Sequence, residues 1–134
     1  MKQKVLFICT NNSVRSQIAE GFFNNLYKTN YKAFSAGTQP SSLNPYAVEV
    51  MKEVGIDISH HRSKSIEEFK NYNFEYVITV CDNAKETCPF FPGRKVIHKN
   101  FKDPAKYKGS VEKTIENFRK TRDEIKDWII ETFK

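Results

Sequence analysis

Apolar residues fall along the chain in two alternating rhythms: short unbroken runs, and stripes at helical spacing. Val5–Ile8 is an unbroken run ending on Cys9, the pattern of a strand buried on both faces. From Ser16 the apolar positions Ile18, Ala19, Phe22, Phe23 and Leu26 predict an amphipathic helix. Ser16 is its expected cap, and Glu20 is expected in its opening turns, favourable to the dipole. After a polar turn over Lys28–Lys32, Ala33–Ala36 predicts a short second strand ending at Gly37. Gln39–Leu43 reads as loop. Asn44 and Pro45 then supply an N-cap and a first-turn proline to a helix carrying Ala47, Val48, Met51 and Val54, stopped by Gly55. Ile56–Ser59 leads through polar His60–Lys64 to a short helix over Ile66–Phe69. Glu75–Val80 predicts a strand ending on Cys81, and Lys95–His98 the last strand. The charged loop Asn100–Gly109 contains Asp103 and Pro104. From Ser110 a long helix places Val111, Ile115, Phe118, Ile125 and Ile129 on one stripe, with Trp128 beside it.

Strands alternating with helices predict an α/β fold, a parallel sheet wrapped on both faces. Four predicted strands make it a three-layer α/β/α sandwich with a central four-stranded sheet. At 134 residues, with no repeat or linker, the chain is expected to be one domain over residues 1–134. Ligands of such sheets sit beyond the carboxyl ends of the strands. Cys9 and Cys81 both fall there, so neighbouring strands would aim both thiols into one crevice.

Composition narrows the partners. The 39% hydrophobic and 28% charged content is that of a globular protein, and no apolar run is long enough to cross a membrane as a helix. The net charge of +6 is dispersed, densest at Lys102, Lys106 and Lys108, and suits a small anionic substrate at least as well as nucleic acid. Without a signal-peptide pattern the expected location is the cytoplasm. Three cysteines in a reducing compartment point to redox or metal chemistry rather than a structural disulfide framework. His60, His61 and His98 show no metal-ligand spacing, so no metal is expected.

The stretch from Cys9 to Ser16 carries the chemistry. A loop of Thr10, Asn11, Asn12, Ser13 and Val14, closing on a helix that opens with Arg15 and Ser16, gathers backbone N–H groups and the positive end of the dipole on one point. That is an oxyanion site. A cysteine on its rim is favoured as thiolate, and the Arg15 fork suits two oxygens of a tetrahedral anion. Ser16 can donate to the Cys9 sulfur, and Asn12 tolerates the positive φ such a loop needs. Cys81 and Cys88, seven positions apart, fit neither a zinc motif nor a thioredoxin motif. If that segment is helical their α-carbons lie ~10 Å apart, beyond the roughly 4.4–6.8 Å of a disulfide. Oxidising the pair would force the segment to unwind. Asp103, in a loop fixed by Pro104, is a candidate general acid.

Together these residues resemble the thioredoxin-coupled arsenate reductases built on the low-molecular-weight protein tyrosine phosphatase fold. The likeness rests on CTNNSVRSQIAEG at Cys9–Gly21, SAG at Ser35–Gly37, NPYA at Asn44–Ala47 and GIDISHH at Gly55–His61. TVCD at Thr79–Asp82, CP at Cys88 and Pro89, and DP at Asp103 and Pro104 complete it. The resemblance implies that Cys9 attacks arsenate held by the loop and Arg15 while Asp103 protonates the leaving oxygen. It further implies that Cys81 releases arsenite and forms a disulfide with Cys9, that Cys88 takes the disulfide over, and that thioredoxin reduces it. A phosphatase would use Cys9, Arg15 and Asp103 alone, and a non-catalytic oxyanion-binding redox sensor is the reading from another class. The protein is expected to be a monomer, with no cofactor beyond thioredoxin. Relatives can bind potassium through residues matching Asn12, Glu20 and Ser35 with an acidic residue where this chain has Lys64. The expectation here is that the Lys64 ammonium takes that ion's place. A further departure is Val14, where some members carry another cysteine.

Overall fold

A computed structural model describes residues 2–82 and 90–133. The expectations placed on Cys88 and Pro89 lie outside these described residues.

Four parallel strands form the sheet: β1 (Gln3–Cys9), β2 (Tyr31–Gly37), β3 (Tyr76–Thr79) and β4 (Lys95–His98), in the order β2-β1-β3-β4. Val5 through Cys9 are all buried, which is why the central strand reads as an unbroken apolar run. Its ladder extends back to Gln3 and Lys4, whose partners are Tyr31 and Lys32 of β2. Chain order places β2 on one side of β1 and β3 on the other. The crevice at the carboxyl end therefore opens between β1 and β3, where a switch of direction puts it.

One face of the sheet is covered by α1 (Arg15–Leu26) and α3 (Val111–Thr132), with α2 (Pro45–Lys52) packed against both helices. Phe23 of α1 is the hub. Its ring lies 5.6 Å from Phe7, 5.0 Å from Tyr27, 5.3 Å from Tyr31 and 5.0 Å from Phe133. Burying a side chain of this size is worth roughly 1.5–3 kcal/mol, so this cluster fixes α1 firmly on β1. The opposite face is covered, among the described residues, by the 3-10 helix Ile66–Phe69 and by Phe74 and Phe91.

Caps follow the sequence where side chains are short and polar. Asn44 accepts from the Tyr46 N–H at 2.8 Å, and Ser110 from Lys113 at 3.2 Å. The α2 helix ends in a Schellman turn: Gly55 N–H meets Lys52 O and Ile56 N–H meets Met51 O, with Gly55 at φ +80°. Three expected core positions, Leu26, Val54 and Val111, are exposed because each sits at a helix end beyond the packed surface. The stripe of α3 is completed instead by Thr121 and Arg122. Arg122 is buried because its guanidinium donates to Val50 O and Glu53 at 2.9 Å, fastening α3 to α2.

Candidate active site

The loop Thr10–Val14 leaves the end of β1 and enters α1 at Arg15. No side chain caps this helix, and its first turn holds no acidic residue, so its opening N–H groups and dipole remain available to an anion. Two expectations are corrected here. Ser16 is not the cap, because the helix begins one residue earlier; Ser16 lies buried in the first turn with its hydroxyl directed at Cys9. Glu20 lies beyond the first turn, and its carboxylate accepts a hydrogen bond from Ser35 on β2.

Donors from outside the loop occupy its carbonyls. Thr10 O accepts from Gln39 N–H at 2.9 Å and Ser13 O from Asn44 N–H at 3.1 Å. Asn11 O accepts from the Ser63 hydroxyl at 2.8 Å, and Asn12 O from Gln17 Nε2 at 3.1 Å. A trans peptide points its N–H opposite its C=O, so the N–H groups of Asn11, Ser13 and Val14 turn inward. Those three residues line a pocket of about 80 Å³ together with Arg15, Ser41, Asp103 and Ala105. Asn12 makes the turn at φ 49°, a conformation its type tolerates. Gly37 lies directly against the loop, where a Cβ would fall 2.5 Å from Thr10 O and 2.9 Å from Asn12 N. Only glycine fits there.

A directed chain of hydrogen bonds ends on the Cys9 sulfur. The Lys64 backbone N–H can only donate, and it meets Asn12 Oδ1 at 2.8 Å, which fixes the orientation of that amide. Asn12 Nδ2 therefore donates to Ser16 Oγ at 2.7 Å. The Ser16 hydroxyl, which accepts from Asn12, lies 2.9 Å from Cys9 Sγ, with its proton free to turn to the sulfur. A donor aimed at sulfur stabilises thiolate over thiol. Cys81, just beyond β3, has the opposite partner: its Sγ lies 3.7 Å from the Ile8 carbonyl oxygen, to which only a thiol can donate. Both cysteines are buried and carry no disulfide. One crevice thus holds two sulfurs with different partners, the Ser16 hydroxyl for Cys9 and the Ile8 carbonyl for Cys81.

Arg15 is buried at the pocket floor, donating to Phe101 O at 3.2 Å and lying 3.7 Å from Asp103 Oδ2. Asp103 opens the 3-10 helix Pro104–Lys106, and its Oδ1 accepts from Ala105 N–H at 3.0 Å. Its second oxygen faces the pocket beside Arg15. Behind the loop, Glu20 also meets Lys64 Nζ at 3.9 Å and His61 Nε2 at 3.8 Å. Lys64 Nζ donates to Arg62 O at 2.9 Å. Burial pushes the Lys64 ammonium below its ordinary value, against the pull of Glu20.

The sequence-predicted residues Cys9, Thr10, Asn11, Asn12, Ser13, Val14, Arg15, Ser16, Cys81 and Asp103 thus gather at the carboxyl end of the sheet. Glu20, Ser35 and Lys64 stand one layer behind. Four further residues join the network: Gln17 and His61, which fall within the quoted motifs, and Ser41 and Ser63, which do not. Gln17 spends its Nε2 on Asn12 O, Asn12 Oδ1 and Arg62 O, so its Oε1 accepts from His61 Nδ1 at 3.0 Å. Ser63 accepts from Ser41 N–H at 3.0 Å while donating to Asn11 O. The Gln17 bonds to Asn12 span five positions, but those joining Gln17 to Arg62 and His61 and Ser63 to Asn11 span 45, 44 and 52.

A cysteine at the foot of a backbone anion loop, at the switch point of a parallel sheet, is the arrangement of an enzyme of the phosphatase type. Residues 4–134 match the low molecular weight phosphotyrosine protein phosphatase family, and the chain belongs to it. Its relatives there include arsenate reductases, and also a low molecular weight protein tyrosine phosphatase from T. tengcongensis, which superposes with a TM-score of 0.73 at 29% identity, over 98% of this chain and 100% of the other. The chain is 42% identical to an arsenate reductase of Staphylococcus aureus (strain Newman) over 134 residues, 99% of this chain and 97% of the relative. Among solved structures, an arsenate reductase in the phosphate binding state superposes with a TM-score of 0.82 at 31% identity, over 97% of this chain and 95% of the other. A thioredoxin-dependent arsenate reductase from Corynebacterium glutamicum matches with a TM-score of 0.62 at 25% identity, over 98% of this chain and 63% of the other.

Two outcomes follow from this geometry. Gly37→Ala should weaken phosphate binding at least tenfold, measured by calorimetry, while the far-ultraviolet spectrum stays that of the folded protein, because the added methyl meets loop backbone. His61 gives a pH dependence. Burial pushes its imidazole below the ordinary value of 6.5; Glu20 opposes this, His60 and Lys64 reinforce it, and Asp57 opposes it. Below that pH the unfolded chain takes up a proton that the folded chain resists, so stability falls as pH falls. Urea midpoints at pH 7.5 and 5.5 should therefore drop less for His61→Gln than for the wild type.

Proposed function

We propose that the protein reduces arsenate to arsenite, taking its electrons from a thioredoxin. The observation that carries this reading is the second sulfur. Hydrolysis of a phosphate ester needs a nucleophile, an anion cradle and an acid, supplied by Cys9, Arg15 and Asp103, and leaves Cys81 without a task. Reduction of arsenic by two electrons needs a second thiol within reach of the first.

In this mechanism the Cys9 thiolate attacks arsenate held by the loop N–H groups and Arg15. A sulfur–arsenic bond forms, and the displaced oxygen leaves as water after taking a proton from Asp103. Cys81, deprotonated, then attacks the Cys9 sulfur. The sulfur–arsenic bond breaks with its electron pair remaining on arsenic, arsenite departs, and a Cys9–Cys81 disulfide forms. Cys88 attacks Cys81 and expels the Cys9 thiolate, which the Ser16 hydroxyl and the cradle stabilise as a leaving group. Thioredoxin reduces the resulting Cys81–Cys88 disulfide. The Cys88 steps rest on the sequence spacing and on the family resemblance. A thioredoxin-dependent reductase among the structural neighbours supports the choice of reductant.

Behind the loop, the group around Glu20 suits an ammonium better than potassium. Asn12 Oδ1 already accepts from Lys64 N–H and Gln17 Nε2, and the Lys64 ammonium stands beside Glu20. Lys64 supplies the positive charge there. No helix among the described residues is long and apolar enough to cross a membrane. The reading is of a cytoplasmic monomer acting on a free oxyanion.

A coupled assay with arsenate, thioredoxin, thioredoxin reductase and NADPH tests the proposal. The wild type should consume NADPH only when arsenate is present. Cys81→Ser should lower that rate by roughly a thousandfold or more while leaving p-nitrophenyl phosphate hydrolysis within a few-fold. Absence of arsenate-dependent NADPH consumption, with the phosphate ester still hydrolysed, would make the protein a phosphatase. Turnover of neither substrate would favour a sensor.

A further inference from the structure

A second string of side chains meets the sheet at the end of β3. Thr79, the last residue of that strand, stands opposite His98 of β4 in the parallel register. Its hydroxyl lies 2.6 Å from His98 Nδ1, and His98 Nε2 lies 2.6 Å from Asn100 Oδ1. An amide oxygen only accepts, so Nε2 carries a proton on that side. In the neutral ring Nδ1 is then the acceptor, and the buried Thr79 hydroxyl donates to it. The imidazole is pinned at both nitrogens, and it pins the threonine. None of these three side chains has a task in the chemistry of Cys9.

Cys81 follows two residues after this anchor. Ile78 and Val80 are buried in the core cluster that includes residues of α1 and α3. Thr79, between them, therefore points to the opposite face of the sheet, where His98 meets it. Backbone bonds tie the same strand end at its two edges: Val80 N–H donates to Ile8 O of β1 at 2.8 Å, and Lys99 N–H to Thr79 O at 3.0 Å. Core packing grips the end of β3 from one face, and the Thr79–His98 bond grips it from the other. Valine, which has the shape of threonine without its hydroxyl, would pack there but could not make that bond.

We infer that His98 is a positioning residue for Cys81: acting through Thr79, it holds the end of β3 so that the Cys81 sulfur meets the Cys9 sulfur in line once the arsenic adduct has formed. This rests on the reductase reading above and deepens it. The step served is the second one. The Cys81 thiolate attacks the Cys9 sulfur, the sulfur–arsenic bond breaks with its electron pair on arsenic, and a Cys9–Cys81 disulfide forms. Attack at sulfur is in line with the bond that breaks, so the direction of approach counts as much as the distance. The first step, attack by Cys9 on the bound oxyanion, makes no demand on the end of β3.

Three variants test this in a Cys88→Ser background, which keeps the first disulfide on Cys9 and Cys81. His98→Leu keeps bulk but loses the acceptor, His98→Asn offers an amide oxygen in place of Nδ1, and Thr79→Val removes the donor. Each is mixed with stoichiometric arsenate, and arsenite release in a single turnover is timed beside p-nitrophenyl phosphate hydrolysis, which needs no second thiol. His98→Leu and Thr79→Val should each slow arsenite release roughly fivefold, and together no further, while His98→Asn stays within about twofold of the background. Ester hydrolysis should hold its rate throughout. Full-rate arsenite release in His98→Leu would overturn the inference. So would His98→Asn as slow as His98→Leu, or a parallel loss of both activities, since a merely structural role gives those results. Oxidation by hydrogen peroxide in the presence of dimedone reads the same geometry without arsenic. Cys9 becomes a sulfenic acid, which either condenses with Cys81 to a disulfide, losing water, or is capped by dimedone. His98→Leu should shift that partition towards dimedone by roughly fivefold, and an unchanged partition would also overturn the inference. Failure of the reductase reading would look different: the background protein would release no arsenite, yet the peroxide partition would still respond to His98→Leu.

Discussion

The structure depends on a string of hydrogen bonds, from the Lys64 N–H to Asn12 Oδ1, from Asn12 Nδ2 to Ser16 Oγ, and between Ser16 Oγ and the Cys9 sulfur. Its direction is set at the end farthest from the sulfur, because a backbone N–H cannot accept. The Asn12 amide is then obliged to donate to Ser16, whose hydroxyl proton is free to turn to Cys9. A buried thiolate without such a donor would carry a desolvation cost of several kcal/mol. The Ser16 hydroxyl and the Arg15 guanidinium are the groups placed to offset it.

That string needs a rigid frame, and the parallel sheet supplies it. The order β2-β1-β3-β4 brings the end of β2 against the anion loop, where Gly37 leaves room for Thr10 O and Asn12 N. It also sets β3 beside β1, so that Cys81, two residues beyond β3, meets the Ile8 carbonyl of β1. Two cysteines at equivalent strand ends thereby receive different partners, a hydroxyl for one and a carbonyl oxygen for the other. In the reaction proposed above, this asymmetry suits Cys9 to attack first and Cys81 to meet the adduct.

Much of this was legible in the sequence because it is local. The unbroken Val5–Ile8 run, the Asn44 and Pro45 cap and the Cys9–Ser16 spacing are each governed by neighbours within a few residues. The strands themselves were found, and β4 was placed with its observed bounds. What failed was also physical. Ser16 reads as a cap because serine usually caps, yet a helix that starts at Arg15 turns the hydroxyl back to the sulfur instead. Nothing local marks Arg122 for burial; it is buried because Val50 O and Glu53, some seventy positions earlier, accept its hydrogen bonds. The bonds of Gln17, His61, Ser63 and Ser41 join segments that only folding brings together, and no periodicity announces them.

The central claim is that one crevice holds an activated and an unactivated cysteine. The most direct measurement is the rate of iodoacetamide modification at each, followed by peptide mass spectrometry at neutral pH with and without arsenate. The account predicts that Cys9 is modified at least tenfold faster than Cys81, and that arsenate suppresses the Cys9 reaction. Equal rates at the two cysteines, or a Cys9 rate indifferent to arsenate, would contradict it.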